Sequence, residues 1–105
     1  MIKGKLLDYS LKKVFSEQHY EILKFINSFG DVTVSMMMAN FGFSRILVAY
    51  YINGGSLTKV DLLEFNVLKL NQKTDDKFER KKINYYSLTK QGEKILEQLE
   101  KLYKK

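Results

Sequence analysis

Few residues of this 105-residue chain belong to types that perform chemistry by themselves. The chain has no cysteine, which excludes thiol nucleophiles, disulfide bonds and thiolate metal sites. Its single histidine, His19, is expected on the surface of a helix. Asp75 and Asp76 are adjacent carboxylates without partner ligands, and such a pair in a charged stretch is more typical of a turn than of a metal or acid–base site. The sequence therefore predicts no enzyme, no metal and no cofactor.

Basic residues are the remaining candidates. The chain carries 18 Lys and Arg against 12 Asp and Glu, a formal net charge of +6. The excess is concentrated in residues 1–13 and 69–92, which have net charges of +3 and +4. Clustered positive charge favours a polyanionic partner such as nucleic acid. An ordinary solvated surface is the simpler alternative, so the prediction depends on a scaffold that presents these charges.

The composition indicates one domain with a hydrophobic core. With 45% hydrophobic residues, seven Phe and seven Tyr, the chain is not a disordered polycation. No run approaches the roughly 18 apolar residues of a membrane span, and the N-terminus lacks the apolar stretch of a signal peptide. We therefore expect a cytoplasmic protein with no membrane partner.

Hydrophobic spacing and capping residues predict the elements that would present the basic residues. In chain order, we predict a short N-terminal helix with Leu7, Leu11, Val14 and Phe15 on its apolar face, a helix over 17–28 between Ser16 and Gly30, a very short strand over 32–34, a helix-turn-helix over about 34–53 with Gly42 in the turn, a hairpin over about 66–88 and a helix over about 89–103 capped by Thr89. Residues 58–64 fit either a helical turn or a strand.

Three stretches resemble winged-helix DNA-binding proteins. FGFSRILVAYYINGG (41–55) is similar to the turn and recognition helix of bacterial helix-turn-helix regulators, LKLNQKTDDKFERKKINYYSLT (68–89) resembles a wing, and YYSLTKQGEKILEQLEKL (85–102) resembles the wing-to-helix junction of MarR-like and PadR-like regulators. The resemblance implies a mainly α fold with a small β-hairpin wing (α+β), extra N- and C-terminal helices and binding to double-stranded DNA. It implies that Ser44 and Arg45 enter the major groove and that the phosphates or the minor groove are contacted by Lys73, Lys77, Arg80, Lys81 and Lys82.

The second helix of the motif departs from that pattern, because its outer residues are apolar. The residues opposite the predicted core anchors Val48 and Ile52 are Ile46, Leu47, Ala49 and Tyr50. Burying an Ile or Leu side chain is worth about 1.5–3 kcal/mol, so we predict that this face packs against the same helix of a second copy. The apolar stripe of the C-terminal helix is predicted to serve both the core and the dimer. The predicted dimer interface comprises Ile46, Leu47, Tyr50, Leu99 and Leu102.

Recognition helices joined in this way resemble the TubR family of centromere-binding winged-helix adaptors. That resemblance implies a homodimer that binds centromere repeats in plasmid or phage DNA segregation, hands the DNA to a tubulin-like GTPase filament and represses its own operon. A MarR/PadR-like transcriptional repressor is the first alternative. A protein–protein adaptor that has lost DNA binding is the second.

Overall fold

The computed structural model describes residues 14–54, 61–75 and 81–103, which form four α-helices and one antiparallel hairpin. The order of these elements is the predicted one, and the fold is α+β. No helix in these ranges is long and apolar enough to cross a membrane. The elements are α1 (Glu17–Phe29), α2 (Val34–Phe41), α3 (Arg45–Asn53), β1 (Leu68–Asp75), β2 (Lys81–Leu88) and α4 (Lys90–Tyr103).

Each helix begins at a hydroxyl side chain that accepts a hydrogen bond from a backbone N–H of the first turn. This contact satisfies one of the donors that a helix N-terminus leaves unpaired. The caps at Ser16, Ser44 and Thr89 were predicted, whereas the cap at Thr33 was not. The hydrogen bonds run from a backbone N–H to a hydroxyl oxygen in the pairs His19–Ser16, Met36–Thr33, Leu47–Ser44 and Gly92–Thr89.

Glycine ends α1 and α2 at the predicted positions. Gly30 and Gly42 have φ values of 85° and 70°. Glycine adopts this region at little cost in free energy because it has no Cβ. The N–H of Gly42 bonds to the carbonyl of Met38 at 2.9 Å, which closes α2 and turns the chain into α3.

The structure corrects the prediction of a short strand over 32–34. Val32 alone forms an antiparallel bridge with Tyr86 of the hairpin, through reciprocal backbone hydrogen bonds of 2.9 and 2.7 Å. Thr33 caps α2 and Val34 is the first residue of that helix, so the strand cannot extend. The bridge nevertheless ties the hairpin to the segment that enters the helix-turn-helix.

The hairpin starts two residues later than predicted, at Leu68 rather than residue 66. The preceding residues 62–66 form turns, in which Asp61 accepts hydrogen bonds from the N–H groups of Leu63 and Glu64. Asn66 has a φ of 58°, which interrupts an extended strand. Residues 58–60 of the ambiguous segment and residues 1–13 of the predicted N-terminal helix lie outside the described ranges.

The core is built where α1, α4 and the base of the hairpin pack together. The fully buried members come from every helix, from the turn before β1 and from the start of β1. They include Leu23, Ile26, Met37, Val48, Ile52, Leu62, Leu68 and Leu99. Val48 and Ile52 are buried as predicted, and of the two adjacent tyrosines Tyr86 is in the core while Tyr85 is half-buried.

His19 is buried rather than on the helix surface, so that prediction is wrong. Its Nδ1 accepts the N–H of Ser16 at 2.9 Å, which completes a capping box at the start of α1. Its ring makes edge contacts with Phe15 and with Tyr51 of α3, at 5.8 and 5.3 Å between centroids. Burial lowers the pKa of His19 from 6.5 to about 4, so the ring is neutral at pH 7.

Candidate nucleic-acid interface

The first turn of α3 is exposed and carries the predicted groove-facing residues. Ser44 Oγ accepts the Leu47 N–H at 3.1 Å, which leaves the Ser44 hydroxyl proton available to a ligand. Arg45, the first residue of α3, is also exposed. The helix N-terminus adds a partial positive charge beside these two side chains. The arrangement is suited to an anion or to the acceptor groups of base edges.

An aromatic stack determines how α3 is held against the rest of the motif. Phe43 in the turn stacks between Phe41 of α2 and Tyr51 of α3, with centroid distances of 5.4 and 5.6 Å. Phe41 also contacts Phe25 of α1 edge-on at 5.4 Å. Because the three helices share these rings, the exposed end of α3 has a defined direction relative to α1 and α2.

The outer face of α3 is apolar, but its residues differ in exposure. Ile46 is 64% exposed, so most of its side chain is available to a second molecule. Leu47, Ala49 and Tyr50 are half-buried within the subunit itself. The predicted contact of Ile46, Leu47 and Tyr50 with a second copy stays a prediction, and Ile46 has the largest surface to contribute.

The C-terminal part of the predicted interface lies differently. Leu99 is fully buried in the core of its own subunit, so it has no surface to offer a partner and its assignment to the interface is wrong. The apolar stripe of α4 packs against α1 of the same subunit. Leu102 is half-buried against the same core.

Two of the predicted wing residues, Lys73 and Lys82, are exposed on the hairpin. Residues paired across an antiparallel hairpin share a face, and the face alternates along each strand. Lys73 pairs with Ile83 and Lys82 with Thr74, so the two lysines lie on opposite faces. Both lysines can therefore contact the same ligand only if the hairpin inserts into a groove of that ligand with its edge first.

The structure gives less about the other predicted wing residues. Lys81 begins β2 opposite Asp75. Lys77 and Arg80 lie outside the described residues. Lys69, which was not singled out as a site residue, is exposed on the same face of β1 as Lys73.

Lys73 has partners that sequence reasoning missed. Its Nζ lies 3.2 Å from Oδ2 of Asp31 and 4.7 Å from the centroid of the Tyr85 ring. Asp31 directly precedes Val32, whose bridge to Tyr86 holds the hairpin against the helix-turn-helix. Asp31 and Lys73 are 42 residues apart, and no local pattern indicates such a pair.

The described residues contain no group of three or more His, Cys, Asp or Glu side chains that could hold a metal ion. What they bring together is an exposed helix N-terminus with a hydroxyl and a guanidinium, and a lysine-bearing hairpin anchored beside the entry to the same motif. A hydroxyl, a guanidinium and an ammonium in these positions are suited to anions and to hydrogen-bond acceptors.

Comparison with known proteins identifies the fold. No protein-family model matches the sequence, and no curated protein is significantly similar to it. The structure is similar to the crystal structure of the adhesin competence repressor AdcR from Streptococcus pyogenes, with a TM-score of 0.59 and 19% sequence identity. The match covers 96% of this chain and 66% of the AdcR chain, so this chain spans about two thirds of that protein's length. The chain therefore has a winged-helix fold, as predicted.

Proposed function

We propose that this protein is a homodimeric, double-stranded DNA-binding transcriptional regulator of the MarR-like kind. The observation that carries the proposal is the exposed first turn of α3, where Ser44 and Arg45 stand free of the core in a winged-helix fold. AdcR is a MarR-family repressor, and the likeness to it favours transcriptional regulation over the segregation role that the sequence first indicated.

The proposed roles of the basic residues follow from the chemistry of their side chains. A guanidinium donates two parallel hydrogen bonds to a guanine edge or a phosphate, so Arg45 serves base recognition or register. Lysine is a point charge that neutralises phosphates irrespective of sequence. The hairpin lysines Lys73 and Lys82, together with the predicted Lys77, Arg80 and Lys81, would therefore supply affinity rather than specificity.

A gel-shift titration with random-sequence duplex tests DNA binding. Each phosphate neutralised contributes about −0.9 to the slope of log K against log salt. If four basic residues of each wing reach phosphates, a slope of about −3.6 per subunit is expected. Absence of a shift at low salt, or a shift that salt does not weaken, would contradict DNA binding and favour the protein–protein adaptor.

The TubR-like function remains a second proposal, because one observation favours it. Ile46, in the first turn of α3, is 64% exposed on the outer face of the helix, where a helix that only reads DNA needs polar side chains. Joining two α3 helices would bury this residue and present both N-terminal ends to one DNA groove. A tubulin-like GTPase encoded beside a block of DNA repeats next to this gene would support segregation. An efflux or metabolic operon in that place would support repression alone.

A further inference from the structure

The ion pair between Lys73 and Asp31 lies within reach of a ligand. The Lys73 side chain is 56% exposed and the Asp31 side chain 41% exposed, with 3.2 Å between Nζ and Oδ2. Lys73 also rests over the Tyr85 ring at 4.7 Å. A polyanion that approaches this face of the hairpin therefore meets a lysine whose charge is already paired with a carboxylate.

The backbone keeps Asp31 beside the hairpin whichever partner Lys73 takes. Val32, the next residue, is bonded to Tyr86 by two reciprocal backbone hydrogen bonds. Gly30, the preceding residue, ends α1 and donates its N–H to the Ile26 carbonyl at 2.8 Å. Asp31 is thus held between a helix end and a β-bridge, so its carboxylate stays close to the place that Lys73 occupies.

We infer that Asp31 limits the affinity of this protein for DNA by competing with a backbone phosphate for Lys73. The inference rests on the proposed DNA binding and adds a residue that opposes it. A carboxylate and a phosphate are both anionic acceptors for an ammonium group, and Lys73 cannot satisfy both at full strength. DNA binding through Lys73 therefore requires that the pair with Asp31 be broken.

The test measures the affinity of the full chain for a random-sequence duplex at several salt concentrations. Asp31→Asn removes the competing charge and is expected to tighten binding about two- to fivefold at low salt, since an exposed ion pair is weak. The slope of log K against log salt is expected to steepen by up to about one, because no carboxylate is left to recapture a cation. Glu97→Gln, an exposed residue of α4, removes the same charge elsewhere and is expected to have a smaller effect.

A second pair of variants isolates the competition from the general gain in positive charge. In a Lys73→Ala background, Asp31→Asn is expected to change affinity no more than Glu97→Gln does. Thermal melting of each variant checks that it folds. Asp31→Ser repeats the comparison made with Asp31→Asn, using a smaller side chain.

The possible outcomes separate this inference from the function on which it rests. Equal binding by Asp31→Asn and Glu97→Gln would overturn it, as would a gain from Asp31→Asn that persists without Lys73. Failure of the unaltered protein to bind the duplex would overturn the proposed function and this inference together.

Discussion

Arg45 and Lys82 occupy different places on the proposed interface, one at the exposed end of α3 and one on the hairpin. The two side chains differ in what they can recognise. A guanidinium at a helix N-terminus can make a bidentate contact with a guanine, whereas an ammonium on a strand neutralises whichever phosphate is near. Their substitution should therefore separate specificity from affinity.

We expect Arg45→Ala to lower the preference for a selected DNA site over random duplex by about 1–3 kcal/mol. Lys82→Ala should instead weaken binding to all sequences alike and reduce the salt slope by about one. Competition gel shifts with both duplexes measure the two effects. Uniform weakening by Arg45→Ala would assign that residue to a phosphate and leave base recognition to other groups.

His19 makes the stability of the fold sensitive to acid. Its folded-state pKa is lowered to about 4 by burial, from 6.5. Below pH 6.5 the unfolded chain gains a proton at His19 that the folded protein does not accept. The stability that depends on neutral His19 is therefore complete above pH 6.5 and is lost as the pH falls towards 4. Urea unfolding should show a loss of about 2 kcal/mol from this residue between pH 7 and pH 5.

The matched variant for this measurement is His19→Gln, because Gln at the same position can also complete a capping box with Ser16. Its stability should fall less than that of the unaltered protein over the same pH interval. Identical losses in both proteins would assign the acid sensitivity to other groups.

At the scale of elements, the start of α4 packs closely against the backbone of the turn before β1. Gly92 lies in the first turn of α4 against the carbonyl of Val67, and a Cβ at this position would collide with that oxygen. The same carbonyl accepts the N–H of Thr89 at 3.1 Å. Gln91 Nε2 also donates to the Phe65 carbonyl at 2.8 Å. The turn before β1 therefore determines where α4 begins.

We expect Gly92→Ala to destabilise the protein by about 1–3 kcal/mol through overpacking against this carbonyl. The direction is informative, because replacing Gly by Ala inside an exposed helix normally stabilises it by about 1 kcal/mol. Chemical denaturation measures the change, and Glu97→Ala on the exposed side of α4 serves as the control. A gain in stability from Gly92→Ala would mean that α4 can shift away from the turn at little cost.

At the scale of the whole molecule, the excess positive charge lies outside α3. The net charge of +6 is concentrated in residues 1–13 and 69–92, while α3 has an apolar outer face with a single basic residue, Arg45. Under the proposed function, this distribution favours contact of the hairpin with the DNA backbone and a role of α3 in assembly as well as recognition.

We expect Ile46→Asp to convert a dimer into monomers if two α3 helices meet, because it places a charge where an apolar side chain is buried. Light scattering measures the mass. Phe65→Asp, at an apolar residue 56% exposed in the turn before β1, controls for the general effect of adding a surface acid. A dimer that survives Ile46→Asp would exclude the TubR-like arrangement and leave the MarR-like proposal with another interface.

The sequence by itself determined the local features. The caps at Ser16, Ser44 and Thr89 and the turn at Gly42 were all predicted correctly, because each depends on residues three or four positions apart. The winged-helix fold followed from the order of these elements. The exposure of Ser44 and Arg45 agrees with the place that the resemblance gives them at the start of the recognition helix.

Only the tertiary structure decided which side chains meet over long distances in the chain. The burial of His19, the confinement of Leu99 to the core and the pair between Asp31 and Lys73 all depend on how elements pack. A polar residue type argues for the surface, and a periodic apolar stripe does not say which of two surfaces it covers. Whether a side chain is buried depends on all the contacts that it makes in the folded protein, and these contacts override both local indications.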